Sequence, residues 1–397
     1  MAFDFSLSEE HKMVQDTIHQ LARRLAPQQQ ALRQRIFKDQ AYPEELWQAV
    51  AEAGLLGCLI PEQYGGNGLG LLPMTLGLEV LNSYGLGSVI HVITGMDAAC
   101  ILRHGSESQK QRFLPAIASG ALKLCYAHTE PDAGSNLFNT QTHARREGDT
   151  YVINGQKVFI TAADVCDYML LVARTASPEQ AKAAGKGKTY GLSLFLVDTR
   201  AKGITRQLLP MQGLEGCQQF ALFFDHVEVP AENLLGPEHE GIAAIFDSLN
   251  PERVLAAGMA LGMTQLMLKR SVDYAQTRKV FGDRPIGSYQ AISHPLAEIQ
   301  VELEATQLLT YRSAWAFDQG LSVGQVGHYA NLAKLKGADL AIRSVDQTIE
   351  THGGYGFSEE YEIIHFWTAA RVMKTAPVTR ELILNFVAEH ALHLPRS

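Results

Sequence analysis

The feature that most constrains this chain is the order of its textures: helical periodicity, then strands, then helical periodicity again. Strands grouped between two helical blocks cannot build the alternating strand–helix units of a doubly wound parallel sheet. No G-x-G-x-x-G follows a strand either. Residues 1–122 read as helical. Val14, Ile18, Leu21 and Leu25 recur at helical spacing behind a Ser6/Glu9 capping box, and Pro27 closes the run. A second helix fits residues 43–54, residues 64–68 form a glycine-rich loop, and more helical segments follow over 73–114. Residues 123–234 read as strands. Asn154-Gly155 between apolar runs predicts a hairpin, residues 168–173, 192–197 and 220–229 read as further strands, and 177–188 as a solvated loop. Residues 235–397 return to helices: one opened by Pro251 and running to Thr277, then 292–317, 323–351 and 377–390.

A chain of 397 residues can hold two or three domains with sizeable cores. Its 46% hydrophobic and 19% charged residues are an ordinary globular balance. Lys and Arg total 34 against 42 Asp and Glu, a formal net charge of -8. That balance suits neither nucleic acid nor an acidic membrane surface, although a local pocket of Arg and Lys can still hold an anionic ligand. Cys58, Cys100, Cys125, Cys166 and Cys217 are scattered and form no C-x-x-C pair, which speaks against a zinc site or a disulfide framework. Reduced thiols fit a cytoplasmic protein. The first ten residues carry acids and no base, unlike a targeting sequence. No apolar run reaches the roughly 18 residues of a membrane span.

Four motifs then stand in order. They are Tyr126-Ala127-His128-Thr129-Glu130-Pro131-Asp132-Ala133-Gly134-Ser135-Asn136; Ile153-Asn154-Gly155-Gln156-Lys157-Val158-Phe159-Ile160-Thr161; Arg278-Lys279-Val280-Phe281-Gly282 with Gln290 after it; and Gly353-Gly354-Tyr355-Gly356-Phe357. Each is weak alone: Arg278 reads equally as a surface arginine, Thr161 as a strand threonine, Gly353-Gly354 as a helix cap. Together, and in this α–β–α context, they resemble the acyl-CoA dehydrogenase family along nearly the whole chain. The resemblance implies an α+β fold with an N-terminal all-α domain (1–122), a middle β-barrel domain (123–234) and a C-terminal four-helix-bundle domain (235–397). It implies FAD, with Tyr126, His128, Thr129, Ser135, Phe159, Ile160 and Thr161 around the flavin ring. Arg278, Phe281 and Gln290 would serve the cofactor of a neighbouring subunit. Glu350, Gly353, Gly354, Thr379 and Glu381 complete the cofactor set. A planar guanidinium suits a phosphate, and a glycine loop lets backbone approach it. Ser135 and Arg253 would contact substrate, and no metal is implied.

The family reaction removes an α-proton from an acyl-CoA thioester while a hydride leaves the β-carbon, so a carboxylate base is required. In the commonest pattern that carboxylate precedes a G-T; here the position is Pro377, which also lacks the N–H that would bind the thioester carbonyl. The isovaleryl and long-chain types place the base just before a helix arginine, which points to Glu252 in Asn250-Pro251-Glu252-Arg253. Two opposed effects act on such a carboxylate: a helix N-terminus lowers its pKa and an apolar pocket raises it. A solvent-facing acid at a helix start would carry the same sequence. The resemblance further implies β-oxidation chemistry, electron delivery to an electron-transferring flavoprotein, and a homotetramer built as a dimer of dimers. The departures are Asp132, Asn136, Phe159, Glu350, Glu381 and Thr368-Ala369-Ala370-Arg371. They leave open a same-fold flavin monooxygenase or nitroalkane-oxidase chemistry, or a non-catalytic FAD- or CoA-binding subunit.

Overall fold

Capping chemistry sets the first helix, two residues later than expected. In the computed structural model, which describes residues 6–214 and 216–395, Ser8 Oγ accepts from the His11 amide at 3.2 Å. His11 Nδ1 in turn accepts from the Ser8 amide at 3.3 Å. Helix α1 (Glu9–Arg24) therefore starts behind Ser8 rather than Ser6, with His11 in the role expected of Glu9. Five more helices complete the block: α2 (Gln29–Phe37), α3 (Glu44–Glu52), α4 (Leu71–Ser83), α5 (Val89–His104) and α6 (Glu107–Ala118). Helices α4 and α5 are buried along almost their whole length, as apolar helices without a polar face must be.

The strand block comprises β1 (Leu124–Ala127), β2 (His143–Glu147), β3 (Thr150–Thr161), β4 (Tyr168–Arg174), β5 (Leu192–Asp198), β6 (Ile204–Leu209), β7 (Gln219–Pro230) and β8 (Leu234–Leu235). They pair in the order β6-β7-β3-β2-β4-β5-β8, and β1 lies parallel to β4. The sheet folds around one core in which Tyr151 and Phe195 meet edge to face at 4.9 Å. Along β4, Met169 and Leu171 enter that core while Leu170 and Val172 pack with Ile101 and Phe113 of the helices. Burial on both faces explains why β4 is a continuous apolar run. A short helix α7 (Pro178–Ala183), capped by Ser177, interrupts the stretch expected to be loop.

The expected hairpin at Asn154-Gly155 is absent. Strand β3 runs straight through the pair, and the two-residue turn falls at Gly148-Asp149, between β2 and β3. Asn154-Gly155 instead forms a bulge against β7. Asn154 Oδ1 accepts from the His226 amide at 2.9 Å. Gly155 has φ 145, and a Cβ there would lie 2.6 Å from Thr142 Cα. A distant partner strand has overridden a local turn signal.

Helix α8 (Ile242–Thr277) is 36 residues long. Its length corrects a second expectation: Pro251 lies inside it, not at its start. The missing proline N–H frees the Asp247 carbonyl, and the helix continues on both sides. After the small hairpin β9 (Lys279–Val280) and β10 (Arg284–Pro285) come α9 (Gln290–Asp318), α10 (Val323–His352), α11 (Ile363–Met373) and α12 (Arg380–His390). Helix α11 was not expected from the sequence. Helix α12 starts after Thr379, whose Oγ1 accepts from the Leu382 amide. Helix α8 packs against α4, α5, α9 and α10, so it runs from the first block into the last. At that crossing a Cβ on Gly262 would lie 2.0 Å from Glu79 O. Among the described residues no helix is long and apolar enough to cross a membrane.

Candidate active site

The first two motifs are clamped together by residues that are not themselves candidate ligands. The Val158 amide donates to Thr129 O at 2.9 Å. Lys157 Nζ, fully buried, donates to Glu130 Oε1 at 2.7 Å and to His128 O at 3.0 Å. Glu130 also accepts from the Gln141 amide at 2.6 Å and the Thr142 amide at 3.0 Å. Burial works to raise the Glu130 carboxyl, but the Lys157 ammonium and the amide donors outweigh it and hold it below its usual range. Burial lowers Lys157 to about 8 against the pull of Glu130. Burial and the nearby Lys157 charge also lower His128, to about 4, so its ring is neutral.

On this clamp sits a shelf. Strand β3 bulges again between Lys157 and Ile160, and Phe159 takes φ 58 there. A left-handed phenylalanine costs roughly 1–2 kcal/mol, so the surrounding pairing holds it in place. The bulge turns Phe159 outward, 54% exposed. Thr161 Oγ1 accepts from Gln219 Nε2 at 2.6 Å. The Ile160 side chain is 1% exposed and belongs to the core, so what it can present to a ligand is its main chain, the kind of contact expected of this segment. Ser135 is exposed in the loop before Leu137.

Glu252 lies ten residues into α8, about 15 Å from the helix start, beyond reach of the terminal dipole. The competition left open by the sequence is thereby decided. Burial raises Glu252 to about 7, and the Arg253 and Lys334 charges pull against it. Its Oε2 is sealed from solvent and has no hydrogen-bond partner. Arg253 is 9% exposed, donates to Asn250 Oδ1 at 3.0 Å and leaves its Nε unpartnered. Lys334, on α10, is 3% exposed; burial and Arg253 lower it to about 8. It donates to Val378 O in the loop that contains Pro377. Sequence reasoning missed Lys334; its only signal was as one of two lysines, with Lys336, among the small residues of α10.

The remaining motif residues gather elsewhere. Tyr274, Arg278, Glu350, His352, Gly353 and Gly354 line an open cleft of about 700 Å³. Tyr274 stacks on His352 with centroids 4.2 Å apart. Gly353 has φ 59 and ψ -131, a backbone conformation closed to residues with a side chain. Arg278 and the glycine backbone suit a phosphate, while Glu350 in the same cleft opposes one. Neither Phe281, 95% exposed, nor Gln290 lines this cleft, and no residue of the Phe159 shelf does. Thr379 and Glu381 lie near Lys334, on the Glu252 side, with Glu381 adding to the charges that act on that lysine. One chain thus presents a ring-sized aromatic shelf and a phosphate-suited cleft in separate places.

The helix that joins the two helical blocks thus carries Glu252, with one buried and unpartnered oxygen, directly before the buried Arg253. The chain belongs to the acyl-CoA dehydrogenase family. The family's N-terminal, middle and C-terminal domains match residues 8–121, 125–227 and 239–392. The acyl-CoA dehydrogenase FadE12 of Mycobacterium tuberculosis is 40% identical over 357 residues, covering 90% of each chain. The butyryl-CoA dehydrogenase of Megasphaera elsdenii superposes with a TM-score of 0.89 at 28% identity, over 98% of this chain and 100% of that one. A glutaryl-CoA dehydrogenase of Mycobacterium smegmatis in complex with FADH2 gives 0.86 at 28% identity, over 97% and 95%.

Proposed function

We propose that the protein binds FAD and dehydrogenates an acyl-CoA thioester to the trans-2-enoyl-CoA, with Glu252 as the base. One observation carries this reading: Oε2 of Glu252 is sealed and unpartnered on a carboxylate raised to about 7, where it can accept a proton at neutral pH. FAD, when bound, supplies the hydride acceptor. The chain's own residues do the rest. Tyr126, His128, Thr129, Phe159 and Thr161 hold the ring, with Lys157 and Glu130 fixing the two segments that carry them. Glu252 takes the α-proton. Arg253 and Lys334 keep positive charge beside it, which stabilises the carboxylate before transfer. Pro377 offers no N–H, so the thioester carbonyl takes its donor from another group.

The family relationship supports an electron-transferring flavoprotein as acceptor. Self-association is supported by the divided cofactor surfaces and by α9, where Val301, Leu308 and Trp315 repeat every seven residues, 70%, 51% and 49% exposed. That pattern fits the homotetramer. Five buried cysteines support a reducing compartment, the cytoplasm. The test is anaerobic mixing with a panel of acyl-CoA thioesters while flavin absorbance is followed. At least one thioester bleaches the wild type, and Glu252→Gln retains FAD but slows bleaching by roughly 100- to 10,000-fold. Normal bleaching by the variant would remove Glu252 from the mechanism.

A further inference from the structure

An acid in the last turn of a helix opposes the carbonyl end of its dipole, and an acid one turn from another acid repels it. Glu350 does both: it stands in the last turn of α10, one turn after Asp346. Its side chain is exposed and, among the described residues, has no hydrogen bond or ion pair. Asp346 at least accepts from Trp367 Nε1 at 2.7 Å. Glu350 thus weakens its own helix and holds nothing in this chain. What it faces is open space, because it lines two clefts at once. In the second, of about 620 Å³, the cations are already matched: Asp339 holds Lys374 and Arg380, while Glu298 and Glu302 hold Arg343. In the first, Arg278 and Glu350 are the charged groups, since burial lowers His352 and keeps its ring neutral. Arg278 is exposed as well, and no ion pair joins it to Glu350 among the described residues.

Two unpaired charges of opposite sign therefore face one cleft. Arg278 and the Gly353-Gly354 backbone draw a phosphate into it, and Glu350 repels the same phosphate. A carboxylate in a nucleotide site can also accept from a ribose hydroxyl. An amide of the same shape accepts equally well, however, and does not repel a phosphate. The carboxylate adds one effect that an amide lacks, and that effect is repulsion. We propose that Glu350 sets the lifetime of the bound cofactor: it opposes the diphosphate that Arg278 and the glycine backbone attract, so that FAD exchanges with FAD in solution. The proposal rests on the FAD reading above. Across an open, wet cleft one such repulsion changes affinity by roughly tenfold, and salt screens it.

The experiment follows release of FAD from the holoprotein. Wild type, Glu350→Gln, Glu350→Ala, Arg278→Gln and the double variant Arg278→Gln/Glu350→Gln are loaded with FAD and diluted into FAD-free buffer. The rise in free-flavin fluorescence gives the release rate. Glu350→Gln and Glu350→Ala are expected to release FAD roughly tenfold more slowly than wild type, and alike, because charge and not contact is what they lose. Added salt narrows their difference from wild type. Arg278→Gln releases faster, and the double variant returns towards the wild-type rate. Both single Glu350 variants melt no lower than wild type, since they remove an acid from a helix C-terminus. Faster release from Glu350→Gln or Glu350→Ala overturns the proposal and makes the carboxylate a holding contact. An unchanged release rate with weaker self-association, read by light scattering, also overturns it and gives Glu350 to a subunit interface. Failure of the underlying reading looks different: none of the proteins retains FAD, or Arg278→Gln leaves release unchanged, and the proposal falls with it.

Discussion

Glu79 and Asp97 sit on adjacent helices of the first block, 2% and 0% exposed, and burial raises both carboxyls. Their surroundings differ completely. Glu79 Oε1 accepts from Gln265 and Gln307 at 2.7 Å each, and Oε2 accepts from Tyr311 at 2.7 Å. Three donors from α8 and α9 tie the first block to the bundle through one acid. Asp97 has none, and neither does Oε2 of Glu252. An elevated carboxyl pKa therefore does not separate structural from reactive acids in this protein. What differs between them is whether the buried oxygens are met by donors within hydrogen-bonding distance.

The contrast can be broken by making a new orphan. Lys157→Met strands Glu130 in its buried site, leaving only the Gln141 and Thr142 amides. Removing one partner of a buried ion pair costs about 3–5 kcal/mol. Urea denaturation of Lys157→Met is expected to show that loss, together with weakened FAD retention as the two motifs part. Full stability would mean that the clamp is dispensable.

Removing an already satisfied acid sharpens the contrast. Glu79→Leu leaves Gln265, Gln307 and Tyr311 without their acceptor, for a loss of about 2–4 kcal/mol. The same exchange at Asp97 leaves stability level or improved. Equal losses from the two variants, read by thermal or urea unfolding, would erase the distinction.

The smallest effect is expected where the groups are exposed. Arg278→Gln removes the guanidinium from an open cleft, so unfolding stability stays within about 0.5 kcal/mol. FAD affinity falls by roughly tenfold, the loss of one charge-assisted contact to phosphate. Unchanged affinity in a cofactor titration would exclude Arg278 from the cofactor site.

How far the sequence could be read follows from how local each feature is. The four motifs, the α–β–α order and the Glu252-Arg253 pair are contiguous, so they were legible. Pro251 misled because a proline at a helix start and one inside a helix look alike over four residues; contacts of α8 with α4 and α5 carry the helix past it. Asn154-Gly155 misled because its strand partner, β7, lies some 70 residues on. Asp97 sat unnoticed in an apolar helix, since orphanhood depends on what α8 and β1 place beside it. Lys334 needed the loop before α12 for the same reason.

The central claim is that Glu252, whose Oε2 is buried and unpartnered, is the proton acceptor. The direct measurement is the rate of anaerobic flavin reduction by a saturating acyl-CoA as a function of pH. A carboxyl raised to about 7 must lose its proton to act, so the rate should climb about tenfold per pH unit below 7 and level off above it. The same shift has a stability consequence. The contribution of Glu252 is fully present below the ordinary value of 4.5 and is lost as pH rises through about 7, a slope that Glu252→Gln should flatten. A wild-type rate already level near pH 5, or an unchanged pH profile in Glu252→Gln, would contradict the account.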